Sequence, residues 1–209
     1  MKNSIEDIFE KDFVEIIKRK LPYLFQIAEV ESSRAGKIGM EVGSIREKVL
    51  IAMLIYKFGE PNVEIDIPIT ESEVDVKLFE KPLSIKTITG KSFGGVKIIW
   101  TVDTKKAREF RMNYNPLCDI LLVKINWNDN GGLYLIPLTV QKDIFEKIGR
   151  DKYIRLPKPG TNPRGVEISK EALMNLVGHD ETKAIEIKWD RIKIDYDPYK
   201  RWEYYWRDD

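Results

Sequence analysis

The sequence predicts an α/β chain of the α+β type, a mixed central sheet flanked by helices. Three observations carry that expectation. Helical periodicity opens the chain, with Ile8, Phe9, Phe13, Ile16, Ile17 and Leu21 spaced for one face. Further on, residues 72–78 and 83–87 alternate apolar and polar side chains with the period of a strand. Phe79-Glu80-Lys81-Pro82 separates them, the length of a hairpin connection. From Asp119 to Trp127 the chain is almost continuously apolar, the pattern of a buried central strand.

Taken in order, residues 4–30 read as helical. Pro22 is expected to interrupt or end the first helix, because it has no amide N–H and its ring crowds the preceding turn. Residues 32–43 contain Gly36, Gly39 and Gly43 and read as a loop. Ser44 opens a strong helix with the stripe Ile45, Val49, Leu50, Met53 and Leu54, stopped by Gly59. Strands are expected at 63–67, 72–78, 83–89 and 96–102. Asp103 caps a helix over 104–114, which ends before Pro116. After the 119–127 strand, Asn128 to Gly132 turns the chain into a strand over 133–138, and Thr139 starts a helix reaching Ile148. Residues 155–168, with Pro157, Pro159 and Pro163, read as loop. A short helix at 169–177 and a strand at 185–189 complete the set. No internal repeat, low-complexity tract or interdomain linker interrupts it.

Composition narrows the class. The chain has 209 residues, 43% of them hydrophobic, enough for one domain with a real core. The formal charge is +1, so no global basic field announces nucleic acid, although a basic cleft remains compatible with it. Cys118 is the only cysteine, which suits a reducing interior. Met1 to Glu10 is charged and lacks the apolar segment of a secretory signal. No run approaches the ~18 apolar residues of a membrane span. The expectation is a soluble cytoplasmic protein. His179 is the only histidine, so no Cys and His cluster exists for zinc, and at a helix end it reads as a dipole partner.

The chemistry concentrates in the hairpin. Two antiparallel strands there would bring Asp75 and Lys86 together. A carboxylate that holds a divalent metal beside a lysine is the minimum apparatus for cutting a phosphodiester. Magnesium takes hard oxygen ligands, one or two carboxylates with water and phosphate. Asp75 can supply one, the backbone carbonyl of Ile85 another, and Glu47 is the best second carboxylate. Lys86 can orient a water or stabilise transition-state charge. Two structural alternatives compete: a simple Asp75–Lys86 cross-strand ion pair, and a capping box in Ser44-Ile45-Arg46-Glu47.

This layout resembles the PD-(D/E)XK nuclease superfamily, whose signature is an acidic residue near one strand end followed by an acid-x-Lys on the next strand. Asp75 matches the first position and Lys86 the lysine. Val74 stands in place of the proline. Ser84 replaces the second acidic residue, a lost metal ligand that a glutamate from the leading helix replaces in some members, and Glu47 stands where such a residue would. Other acid-x-Lys triplets, at Asp75, Asp103, Glu181 and Glu186, lack this strand context. The chain as a whole is similar to a type II restriction endonuclease. That resemblance implies a magnesium-dependent homodimer cutting double-stranded DNA at the palindrome CGCG to blunt ends. It also implies one nuclease domain over 1–209 with its core at about 44–150, leaving 1–43 and 151–209 for DNA contact and dimerisation. Two rivals share the scaffold: a repair or junction-resolving nuclease, and a DNA-binding protein that does not cut.

Three stretches are candidates for DNA contact. Arg34 and Lys37 precede the Glu47 helix, and Met40, apolar in a glycine-rich loop, can wedge between base steps. Gly90-Lys91-Ser92 lacks the upstream glycine and following helix of a phosphate-binding loop. Lys91, Ser92 and Lys97 instead suit backbone phosphates. Lys158, Asn162 and Arg164 suit base reading in the major groove. Glu71 and Glu73 are expected to be solvated. The aromatic tail, with Tyr199, Trp202, Tyr204, Tyr205 and Trp206, is expected to pack on the core or on a partner subunit.

Overall fold

A computed structural model describes residues 4–34, 37–39, 41–68, 71, 73–157 and 165–207, and the side chain of Arg34 is not among the described groups. Met40, Ser72, Lys158, Asn162 and Arg164 lie outside the described residues. After a 3-10 turn at Ile5–Phe9 come helix α1 (Lys11–Glu31), the short strands β1 (Ser33–Arg34) and β2 (Lys37–Ile38), and helix α2 (Val42–Phe58). Strands β3 (Val63–Glu64), β4 (Val76–Leu78), β5 (Lys81–Thr89) and β6 (Val96–Ile99) follow, then α3 (Thr104–Asn113), β7 (Asp119–Ile125) and β8 (Asn130–Ile136). The remainder is α4 (Leu138–Ile148), α5 (Arg150–Tyr153), β9 (Ile154–Arg155), β10 (Val166–Ile168), α6 (Lys170–Val177), β11 (Lys183–Lys188) and α7 (Lys200–Arg207).

The main sheet has the order β11-β8-β7-β5-β4-β3, with β5 and β7 parallel and the other neighbours antiparallel. Alternation along β7 divides the molecule into two cores. Leu121, Val123 and Ile125 face one side, with Phe13, Ile17, Leu21 and Phe25 of α1 and Leu50 and Leu54 of α2. Ile120 and Leu122 face the other, with Val140 and Ile144 of α4, Leu173 and Leu176 of α6, and Val166 and Ile168 of β10. On that second face a smaller sheet, β6-β10-β9, lies beside the main one.

Several boundaries differ from the sequence expectation for identifiable reasons. α1 runs unbroken through Pro22, which is buried within it, because packing of the apolar face outweighs one lost hydrogen bond. α2 begins at Val42 with Glu41 at its N-cap, two residues before Ser44, and no side chain caps it. The capping-box alternative for Glu47 is therefore absent. β1 and β2 pair inside the stretch read as loop. β4 is only three residues long, so the strand read at 72–78 is mostly an irregular approach to it. The edges at 63–67 and 96–102 also pair over shorter spans than read. Asp103 caps α3 as expected, accepting from the amides of Lys105 and Lys106. The aromatic tail does not pack on the core of this chain: every residue of α7 is exposed.

Buried Glu29 on α1 ties the layers together. Its carboxylate pairs with Arg46 of α2 at 2.6 Å, accepts from Trp127 Nε1 at 2.7 Å and pairs with Arg191 of the tail at 2.6 Å. Arg46 also donates to Thr89 Oγ1 at 2.9 Å, fastening α2 to the far end of β5. Burial holds the Arg46 guanidinium below its usual range, with Glu29 opposing that shift.

Candidate active site

The short β4 creates the site. Where β4 stops, β5 continues, and its edge beyond Leu83 has no strand partner on that side. Asp75, the residue before β4, donates its amide to the Leu83 carbonyl at 3.0 Å. Its carboxylate caps the opened edge. Oδ2 accepts from Ser84 Oγ at 3.1 Å, the Ile85 amide at 2.6 Å and Lys86 Nζ at 2.8 Å. In an extended strand the N–H and C=O of one residue point to the same edge. The Ile85 carbonyl, like its amide, therefore faces the open side beside Asp75. Asp75 Oδ1 has no hydrogen-bond partner among the described residues.

Glu47 approaches from α2, on the opposite face of the sheet from Lys86. It is half-buried, and burial pushes its carboxyl above the ordinary range. The Asp75 charge adds to the rise and Lys86 opposes it. Glu47, Asp75, Ile85 and Lys86 line one open cleft of about 610 Å³, together with Gly43 and Ser44 at the start of α2 and Thr87 on β5. The opposite wall is the smaller sheet, with Lys97, Trp100 and Glu167. Gly43 and Ser44, in the first turn of α2, line this space, and the free amides of a helix's first turn favour anions.

The donor set fits a hard divalent cation. Burial is the main cause that raises Glu47 and the Asp75 charge adds to it, so a cation between the two carboxylates would relieve both their repulsion and their lost hydration. Among the described residues no group of three or more His, Cys, Asp and Glu side chains has metal-binding geometry; Asp75, Glu47 and the Ile85 carbonyl are the oxygen donors that could hold a cation in this cleft. Such a set leaves room for the waters and phosphate oxygens that magnesium keeps.

Ser84, at the position of the missing acid, is 3% exposed and is spent on holding Asp75. Glu73 is not solvated, contrary to the sequence expectation. The irregular approach to β4 turns it inward, where it is buried. Burial pushes its carboxyl up to about 7, with the bond from Tyr114 and the charge of Lys86 opposing the rise. Burial likewise pushes the neighbouring Cys118 thiol up to about 12, and Cys118 Sγ donates to the Glu73 carbonyl at 3.9 Å. Glu71 instead pairs with Lys77 at 3.0 Å.

The expected DNA contacts separate. Lys97 lines the cleft that holds Asp75 and Lys86. Lys91 and Ser92 lie on the exposed turn after β5, and Lys37 is exposed on β2, all outside the cleft lining. Sequence reasoning missed Trp100 and Glu167 on the far wall, because a strand paired across 67 residues of chain, as Ile99 is with Val166, leaves no local signal.

Comparison with known proteins identifies the scaffold. The family model of restriction endonuclease ThaI matches residues 8–208. The chain belongs to the ThaI restriction endonuclease family. A solved structure described as a restriction endonuclease in complex with substrate DNA is 56% identical, with a TM-score of 0.91, and the match covers 98% of this chain and 99% of that one. No match was found among curated proteins. This is a type II restriction endonuclease, a site-specific enzyme of a family that generally uses a divalent metal. The repair-nuclease and non-cleaving readings give way to that membership. No helix among the described residues is long and apolar enough to cross a membrane.

Proposed function

We propose that this enzyme cuts double-stranded DNA at the palindrome CGCG, leaving blunt ends, as a magnesium-dependent homodimer in the cytoplasm. One nuclease domain, residues 1–209, does so with Glu47, Asp75 and Lys86. The observation that carries the reading is the three-donor clasp on Asp75 Oδ2 at the open edge of β5, with Glu47 facing it across the cleft.

Asp75, Glu47 and the Ile85 carbonyl would hold the magnesium ion. Bound there, the ion would supply polarisation of a phosphate oxygen and a lowered pKa for the attacking water. Lys86, bonded to Asp75, keeps its ammonium at the cleft, where it positions the attacking water and balances charge on the phosphate. The water oxygen bonds to phosphorus in line with the departing 3′ oxygen. The P–O3′ bond breaks, the attacking water releases a proton to solvent while the 3′ oxygen takes one from solvent, and 5′-phosphate and 3′-hydroxyl ends result. A two-fold dimer suits a two-fold palindrome. Arg34, Lys37, Met40, Lys91, Ser92, Lys97, Lys158, Asn162 and Arg164 are the proposed DNA contacts.

Incubation of purified protein with unmethylated phage DNA tests this reading. Discrete fragments with magnesium, none with chelator, and ends that sequence to CG/CG are expected. Asp75→Ala is expected to remove cleavage and keep binding. Full cleavage by Asp75→Ala would overturn the site assignment, and a smear would overturn the sequence preference.

A further inference from the structure

We infer that Trp100 holds the substrate, packing its free face on the deoxyribose beside the scissile phosphate while Lys97 reaches the neighbouring phosphate oxygen. The inference rests on the nuclease reading of the cleft. Trp100 follows β6 on the wall opposite Asp75 and Lys86, and both it and Lys97 line the catalytic cleft. Despite its size it is 68% exposed. With Val102, two residues on and also exposed, the ring leaves apolar surface at the mouth of the cleft that a bound ligand would cover.

The ring is also oriented. Lys97 Nζ sits 3.5 Å from the ring centroid, a cation–π contact that occupies one face and leaves the other open. Lys97 is fixed in turn by the pairing of β6 with β10. Flat apolar surface next to a cation is the complement of a nucleotide backbone, whose sugar offers an apolar face and whose phosphate offers charge. The chain continues from this lip through Val102, also exposed, into α3, where Lys105, Lys106 and Arg108 are exposed. Lys105 faces Glu109 at 3.9 Å, while Lys106 and Arg108 make no ion pair among the described residues, and exposed positive charge next in the chain to this lip suits the phosphates of a duplex. A sugar contact carries no base information, which assigns Trp100 to affinity rather than to sequence choice.

Anisotropy of fluorescein-labelled duplexes, one with CGCG and one without, tests the inference in calcium instead of magnesium, alongside magnesium cleavage assays. Trp100→Ala is expected to raise Kd for both duplexes by the same factor, roughly 10- to 50-fold, the effect of withdrawing about 60–100 Å² of apolar contact. Trp100→Phe should stay within about 3-fold of wild type. Lys97→Ala should lower the slope of log Kd against log salt by about one phosphate. Melting temperatures should match wild type, since the ring is exposed. A Trp100→Ala enzyme whose Kd stays within twofold, while wild type binds and cuts, would overturn this inference alone. So would a loss confined to the CGCG duplex, which would make Trp100 a base reader. A wild-type enzyme that neither binds nor cuts either duplex would overturn the nuclease reading and this contact with it.

Discussion

Ser84→Asp restores the acid that the superfamily pattern expects, and the structure predicts that it harms the apo enzyme. Ser84 Oγ lies 3.1 Å from Asp75 Oδ2 and is almost fully buried. A carboxylate there would face Asp75 at about 4 Å, where two unit charges repel by about 4 kcal/mol at an effective dielectric near 20. The mutant can escape by binding a proton, but holding a proton at pH 7 on a group whose ordinary pKa is about 4 also costs roughly 4 kcal/mol. The lost hydroxyl bond adds about 1 kcal/mol, and Lys86 at 2.8 Å from the same oxygen offsets part of the total. A net destabilisation of about 3–4 kcal/mol lowers the melting temperature by roughly 6–16 °C in a chain of this size. Thermal unfolding in chelator at pH 7 checks this. The deficit should shrink as pH falls, because a shared proton removes the repulsion. It should also shrink when magnesium is added, because the cation binds only the folded pair. Ser84→Ala is the control, at about 1 kcal/mol. A Ser84→Asp protein melting within 2 °C of wild type in chelator at pH 7 would refute the geometry on which the estimate stands.

Three further outcomes are expected. Because burial raises the Glu47 carboxyl, protons compete with a cation for it more strongly than for an ordinary carboxylate, so half-saturation of cleavage is expected to need more magnesium as pH is lowered, tested at pH 6 against pH 8. A magnesium requirement identical at both pH values would count against Glu47 as a ligand. Glu73 carries a folded pKa near 7 against about 4.5 in the unfolded chain. Between those values the unfolded chain holds fewer protons, so stability falls as pH rises from about 4.5 to 7, by up to about 3 kcal/mol. Denaturant titrations of wild type and Glu73→Gln across that window should diverge, the variant staying flatter. Finally, Glu29→Gln leaves Arg46 buried beside a neutral partner and should cost about 3–5 kcal/mol, read by thermal unfolding; a loss under 1 kcal/mol would mean that water or Thr89 already satisfies Arg46.

Much of the fold was legible because its elements carry their own period. The continuous apolar run at 119–125 is the central strand β7, and Asp103 and Ser169 cap their helices through their own side chains. Asp75 and Lys86 were legible as a pair because only a short connection separates them. Three things were not legible. The open edge of β5 depends on β4 being short, and alternation does not say where pairing stops. Glu73 sits one turn from solvent-suited neighbours, and its burial comes from Tyr114 and Cys118, 41 and 45 residues away in the chain. The smaller sheet joins β6 to β10 across the whole α3 to α5 region, so the far wall of the cleft has no local trace in sequence.

Glu29 also sets an order of assembly. It leaves the ribosome early, while its partners Trp127 and Arg191 follow 98 and 162 residues later. At about 5–20 residues per second, the last of them arrives roughly 8–32 s after Glu29. Until then Arg46, only 17 residues after Glu29, is its one charged partner, and the α1–α2 layer that carries Glu47 lacks its final brace.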